Sequence, residues 1–118
     1  MNTFTNKYGH FSPDGREYVI TNPNTPRPWG NVISNGDFGM MISQNGSGYC
    51  WRGNAGQNRI TRSFQDLIKD NWGQYFYIRD LETKKFWSAA LKPVMTKSTL
   101  YEVAHGMGYS RFTREING

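Results

Sequence analysis

The sequence predicts an all-β fold, an antiparallel β-sandwich with at most one short helix. Three observations lead there. Thirteen glycines punctuate short runs of aromatic and β-branched residues, the rhythm of strands joined by tight turns. Hairpin signals recur, with Asp14-Gly15 and Asn35-Gly36 the strongest. Apolar residues make up only 36% of the chain while aromatics reach 15%, so the core must draw on Phe, Tyr and Trp. The 118 residues suffice for one small domain with a core and not for two.

Residues 7–11 (KYGHF) read as a first strand, and Ser12-Pro13-Asp14-Gly15 as the turn that follows. Residues 16–21 (REYVIT) return as its hairpin partner, with Tyr18 and Ile20 on one face and Val19 on the other. Residues 22–28 carry three prolines in NPNTPRP, which forbids helix or central strand and makes a stiff extended connector. Residues 29–34, 38–43 and 49–52 read as three successive hairpin strands, turned at Asn35-Gly36 and at the glycine-rich 44–48. The stretch SQNGSGYCWRG is open to two readings: an ordinary tight turn before an aromatic strand, or a loop shaped to hold a ligand against rings.

Residues 53–57 are a loop, and 58–63 (NRITRS) a short strand or extended stretch. Residues 64–72 (FQDLIKDNW) are the one helix candidate, with Phe64, Leu67 and Ile68 at helical spacing and Ser63 placed to cap it. Residues 74–80, 85–91, 99–106 and 109–115 complete the strands. The sequence stops directly on a strand pattern, so it is expected to be a piece of a larger fold.

The formal net charge of +5 permits attraction to phosphate. The arginines are scattered and interspersed with acids, whereas strong nucleic-acid binders concentrate their charge. Aromatics on YFYIR suggest a platform for single-stranded nucleic acid, but the RNP order of aromatic and basic residues is absent. Nucleotide-binding glycine motifs are missing, and Asp37-Phe38-Gly39 lacks the catalytic segment that gives that triplet meaning in kinases. His10, Cys50 and His105 lie too far apart to suggest a metal site or a Cys–His nucleophile. A single cysteine excludes an intrachain disulfide. The first 15 residues lack an apolar core and no run reaches a membrane span, so a cytoplasmic location is expected. Most of the acids flank turns, as solvated groups do; Asp37 and Glu102 stand out only by their aromatic and glycine neighbours.

Carbohydrate binding needs flat aromatic rings beside directional hydrogen-bonders. Trp51, Arg52, Asn54, Gln57, Asn58, Arg59 and Arg62 supply both around two glycine-rich loops, and loops are where binding residues concentrate. Trp51, Arg59 and Arg62 are the residues expected nearest a sugar, with a dimer surface as their other possible use.

REYVITNPNTPRPWGNVISNGDFGMMISQNGSGYCW, followed in order by NRITR, YFYIRD, FWS, KPV and HGMGYSR, resembles the start of the disaccharide phosphorylases of glycoside hydrolase family 94. Cellobiose, cellodextrin and chitobiose phosphorylases belong to that family, and cyclic β-1,2-glucan synthases share the module. Tyr8-Gly9-His10-Phe11, Thr25-Pro26-Arg27-Pro28-Trp29, Gly46, Gly48 and Tyr49 match its markers. So do Arg59-Ile60-Thr61-Arg62, and His105, Gly106, Gly108, Tyr109 and Arg111. Asn31-Val32-Ile33-Ser34 departs from the NYLG of the cellobiose enzymes and leans towards the glucan synthase form.

The resemblance implies a portion of a larger galactose-mutarotase-like sandwich domain, ahead of an (α/α)6 barrel that carries the catalytic aspartate and is absent from these 118 residues. It implies inverting phosphorolysis of a β-linked glucosaccharide to a sugar 1-phosphate. Inorganic phosphate is the co-substrate and no cofactor is needed. A homodimer is implied, with no membrane or nucleic-acid partner, and this chain would serve as scaffold, dimer contact and carrier of substrate-side loops. Residue chemistry alone leaves two alternatives: a free-standing carbohydrate-binding module and a single-stranded nucleic-acid-binding β domain.

Overall fold

The computed structural model describes residues 4–63, 66 and 68–116. Among them are nine strands and no helix. Every strand pairing is antiparallel, as the turn signals predicted.

Strands β1 (Gly9–Phe11) and β2 (Glu17–Ile20) form the expected hairpin, with His10 opposite Val19. The Ser12 hydroxyl donates to the Asp14 carboxylate at 2.6 Å and accepts from the Glu17 amide at 3.0 Å. Side chains thus close the turn locally. On its other edge β2 pairs with β8 (Leu100–Gly106), which turns into β9 (Tyr109–Glu115). The resulting sheet, ordered β1-β2-β8-β9, ties the two ends of the chain together. Val19, Ile20, Val103 and Ala104 are the buried apolar residues, and the register sets Val19 against Ala104 and Ile20 against Val103. Consecutive residues of a strand point to opposite faces. Burial of both members of each pair means that this sheet is covered on both sides at its centre.

Strands β3 (Gly30–Ser34), β4 (Phe38–Ser43) and β5 (Gly48–Arg52) form the expected meander. At its first turn, the Asn35 side chain accepts from the amides of Asp37 and Phe38 at 3.1 and 2.9 Å. The meander reaches the larger sheet through Asn31, whose amide donates to the carbonyls of Gly106 and Tyr109, both at 2.9 Å. His105 adds a second tie, with Nε2 donating to the Trp29 carbonyl at 3.0 Å. A short ribbon of β6 (Tyr77–Arg79) and β7 (Phe86–Ser88) makes the third sheet.

Three expectations change. Residues 58–63 do not form a strand; they keep one bridge, Arg59 to Trp51. The Cys50 amide donates to the Thr61 hydroxyl at 2.8 Å instead of to a backbone carbonyl, and this interrupts the ladder. Of the helix predicted over 64–72, Phe64, Gln65 and Leu67 lie outside the described residues. The described part is a turn: Asp66 accepts from the amides of Ile68 and Lys69, and Asp70 follows at φ 40°. Ile68, expected on the apolar helix face, is 94% exposed. The strands predicted over 74–80 and 85–91 shorten to residues 77–79 and 86–88.

Candidate functional site

Strand β5 places Tyr49 and Trp51 two residues apart, so both emerge on one face of the meander. Their ring centroids lie 5.6 Å apart. Arg59, bridged to Trp51, sets its guanidinium 4.4 Å from the Tyr49 ring centroid, within cation–π range. The same guanidinium donates to the carbonyls of Ala55 and Ser63, both at 3.1 Å. The Trp51 indole lies over Gly39 on the neighbouring strand, where a Cβ would come within 2.4 Å of the ring. The structure therefore brings Trp51 and Arg59 together. Trp51 is half-buried by packing, and Arg59 spends its donors on shaping its own loop. Arg62, three residues on, is exposed.

The glycine-rich turn between β4 and β5 resolves the ambiguity of SQNGSGYCWRG. Residues 43–47 all sit inside the protein, with Ser43 at 0%, Gln44 at 2% and Ser47 at 1% exposure. This is an internal turn, held by its own side chains. Gln44 accepts from the Trp29 amide at 2.8 Å and donates to the Pro23 carbonyl and Thr25 hydroxyl at 3.1 and 2.7 Å. It thereby anchors the proline connector. The Gln44 carbonyl in turn accepts from the Tyr101 hydroxyl at 2.6 Å, and burial pushes that phenol up to about 12. Asn45-Gly46-Ser47 spells a glycosylation acceptor, but the Asn45 amide is buried and donates to Asp70 at 3.0 Å.

Asp70 is the residue that the sequence did not single out. It is buried, and its carboxylate accepts from Ser43 and Asn45 while its backbone carbonyl accepts from Ser47. The nearest signal was the run of Ser, Gln, Asn and Ser in 43–47, a set of donors that must find acceptors once buried.

The other ionisable groups are similarly committed. Glu17 accepts from the Tyr109 hydroxyl at 2.6 Å and from Arg111 at 3.0 Å. Asp37 pairs with Arg52 at 3.3 Å on the surface. Asp14, Asp66 and Asp80 are held below the usual carboxylate range, chiefly by hydrogen bonds from Ser12, from the Lys69 amide and from Thr83 respectively. His105 is lowered by burial. Its Nδ1 lies 2.8 Å from the Ser110 hydroxyl, and since Nε2 must donate to a carbonyl, neutral Nδ1 is the acceptor. Among the described residues no group of three or more His, Cys, Asp or Glu could hold a metal ion, and no helix is long and apolar enough to cross a membrane.

Comparison with known proteins places this arrangement. The sequence model for the glycosyl hydrolase 94 supersandwich domain matches residues 16–118. An N,N'-diacetylchitobiose phosphorylase from Vibrio furnissii is 42% identical over 95% of this chain and 14% of its own length. The cyclic β-(1,2)-glucan synthase NdvB of Rhizobium meliloti is 36% identical over 92% of this chain and 4% of its own. A 3-O-β-D-glucopyranosyl-β-D-glucuronide phosphorylase from Paenibacillus borealis is 39% identical over 86% and 12%. The chain thus spans about one-seventh of the chitobiose phosphorylase it matches. All-antiparallel sheets, a buried glycine-rich turn and a match over nearly the whole sequence converge: this chain belongs to the supersandwich-domain family of glycosyl hydrolase 94.

Proposed function

We propose that this chain is the N-terminal β-sandwich segment of an inverting glycoside phosphorylase, which cleaves a β-linked disaccharide or oligosaccharide with inorganic phosphate to give a sugar 1-phosphate. The observation that carries the reading is the similarity of 95% of the chain to a chitobiose phosphorylase. The substrate class follows the relatives, whose names specify diacetylchitobiose and a glucosyl-glucuronide.

The chain's own part is structural. A general acid must hold a proton near neutral pH, whereas Asp14, Asp66 and Asp80 are pulled towards the ionised form. Glu17 is tied to Tyr109 and Arg111. Protonation of the leaving group is assigned in this reading to a barrel domain elsewhere in the parent protein. Trp51, Arg59 and Arg62 form the loop surface turned towards sugar, with Arg59 fixing the loop through Ala55 and Ser63. Phe76 and Ile78, two residues apart and so on one face, stand exposed beside and on the β6–β7 ribbon. This apolar surface supports its burial by the rest of the sandwich or in a homodimer. A cytoplasmic enzyme without a cofactor completes the reading.

The test starts with the mass of the native protein that contains this sequence. It continues with phosphate-dependent release of sugar 1-phosphate from a panel of β-linked disaccharides that includes N,N'-diacetylchitobiose. The parent protein should be several times heavier than 13.6 kDa and active, and the 118-residue chain alone inactive. A native mass near 13.6 kDa, or turnover by the chain alone, would overturn the proposal.

A further inference from the structure

A cleft of about 730 Å³ lies between the β6–β7 turn and the segment that precedes β8. Lys84 and Lys85 from the turn and Lys97 from the facing segment line it, beside Phe86 and Trp87. One carboxylate, Asp80, also lines it. That carboxylate is turned onto its own turn, accepting from the Thr83 hydroxyl at 2.6 Å and from the Glu82 and Thr83 amides at 2.9 and 3.3 Å. Three lysines against this one carboxylate leave the lining net positive.

Both walls are held in place. Lys97 sits between Thr96 and Ser98, and Arg114 donates to the carbonyl of the first and the hydroxyl of the second. Arg114 also holds the Ser88 and Ala90 carbonyls at 2.7 and 2.6 Å. Opposite, Lys84 adopts φ 61° and Met95 in the Arg114-held segment adopts φ 56°. A side chain rarely takes this left-handed conformation, and such strain concentrates where a ligand is clamped.

We propose that this cleft binds an acidic saccharide, the exposed Phe86 ring stacking on the apolar face of a sugar ring while the lysines neutralise its carboxylate. A flat aromatic beside cations suits a uronate better than a bare anion, which would need no ring. It suits a uronate better than a nucleic acid too, which would call for several rings along a continuous basic track. This site is separate from the loop surface around Trp51, and it does not depend on the phosphorylase reading.

The test is calorimetric titration of the full-length protein that contains this chain with a short oligosaccharide of glucuronic acid, beside a neutral glucose oligosaccharide, inorganic phosphate and a single-stranded oligonucleotide. The acidic saccharide should bind more tightly than the neutral one, and more weakly as salt rises. The double variant Lys85→Ala/Lys97→Ala, both exposed positions, should lose roughly fivefold in affinity with an unchanged circular dichroism spectrum. Phe86→Tyr should retain binding and Phe86→Leu should weaken it. The proposal is overturned by equal affinity for acidic and neutral sugars, by no binding, or by an unaffected double variant. Full competition by phosphate alone, or tighter binding of the oligonucleotide, would overturn it in favour of a simple anion site or a nucleic-acid surface.

Discussion

The Ser43 hydroxyl donates to the Asp70 carboxylate across 2.7 Å, and both residues are buried. This bond ties the end of β4 to a segment 27 residues later. Asn45 and Ser47 donate to the same residue, so Asp70 is the common acceptor of the internal turn. Replacing it by alanine would strand two buried donors, Ser43 and Asn45, while Ser47 keeps the backbone carbonyl; each stranded group costs about 1–3 kcal/mol. Asp70→Ala is expected to lose stability on that scale in urea titrations. Asp70→Asn should lose less, because its amide oxygen still accepts and asparagine tolerates the φ of 40° at this position. Equal losses in the two variants would show that the carboxylate oxygen is not what the turn requires.

Gly46 sits at φ 85°, and a Cβ there would lie 2.3 Å from the Ala90 Cβ. Gly46→Ala therefore combines a backbone penalty with a clash, together about 2–5 kcal/mol. The double variant Gly46→Ala/Ala90→Gly removes the clash and leaves the backbone term. Its urea midpoint should fall between those of the Gly46→Ala variant and the parent chain. Additive losses would place Ala90 out of contact with the turn.

The meander and its turn chemistry were legible because they depend on neighbours in sequence: Asn35 caps its own hairpin through amides two and three residues on. The pairing of β2 with β8 was not, since nothing local encodes a register between Val19 and Ala104. The helix expectation rested on the spacing of Phe64, Leu67 and Ile68. Spacing cannot tell an apolar stripe from the exposed side chain that Ile68 proves to be. For the candidate site, the sequence named Trp51 and Arg59 as residues nearest a sugar, and their bridge to each other came only with the structure. That Arg59 is occupied by Tyr49, Ala55 and Ser63 was not legible either, because those contacts follow from how residues 53–63 curl back along β5. Asp70 escaped notice for a related reason: its partners lie 23 to 27 residues away.

His105 gives the fold a pH dependence. Burial holds its imidazole below the ordinary 6.5, so it stays neutral in the folded chain. As pH falls through 6.5, the unfolded chain takes up this proton and the fold does not, so protonation favours unfolding. The contribution is fully present above that pH and declines below it. Urea midpoints measured from pH 8 down to pH 5 should show the decline, and His105→Gln should flatten that part of the profile. An unchanged profile in the variant would assign the dependence to another group.

Arg114 reaches out from β9 to hold the residues that follow β7. Its guanidinium donates to the carbonyls of Ser88, Ala90 and Thr96 and to the Ser98 hydroxyl, and it lies 5.9 Å from the Tyr101 ring centroid. A planar fork of five donors can serve acceptors spread across a loop, whereas a lysine ammonium presents its donors from one point. Arg114→Lys keeps the charge and is still expected to cost about 2–4 kcal/mol, because carbonyls left without partners inside the loop lose hydrogen bonds to a charged group. Hydrogen exchange locates the loss: amides of residues 89–97 should exchange faster, and those of the β3–β4–β5 meander should keep their protection. Uniform acceleration through all sheets would mean that Arg114 supports the whole fold. An exchange pattern identical to the parent's would mean that the loop holds its shape without it.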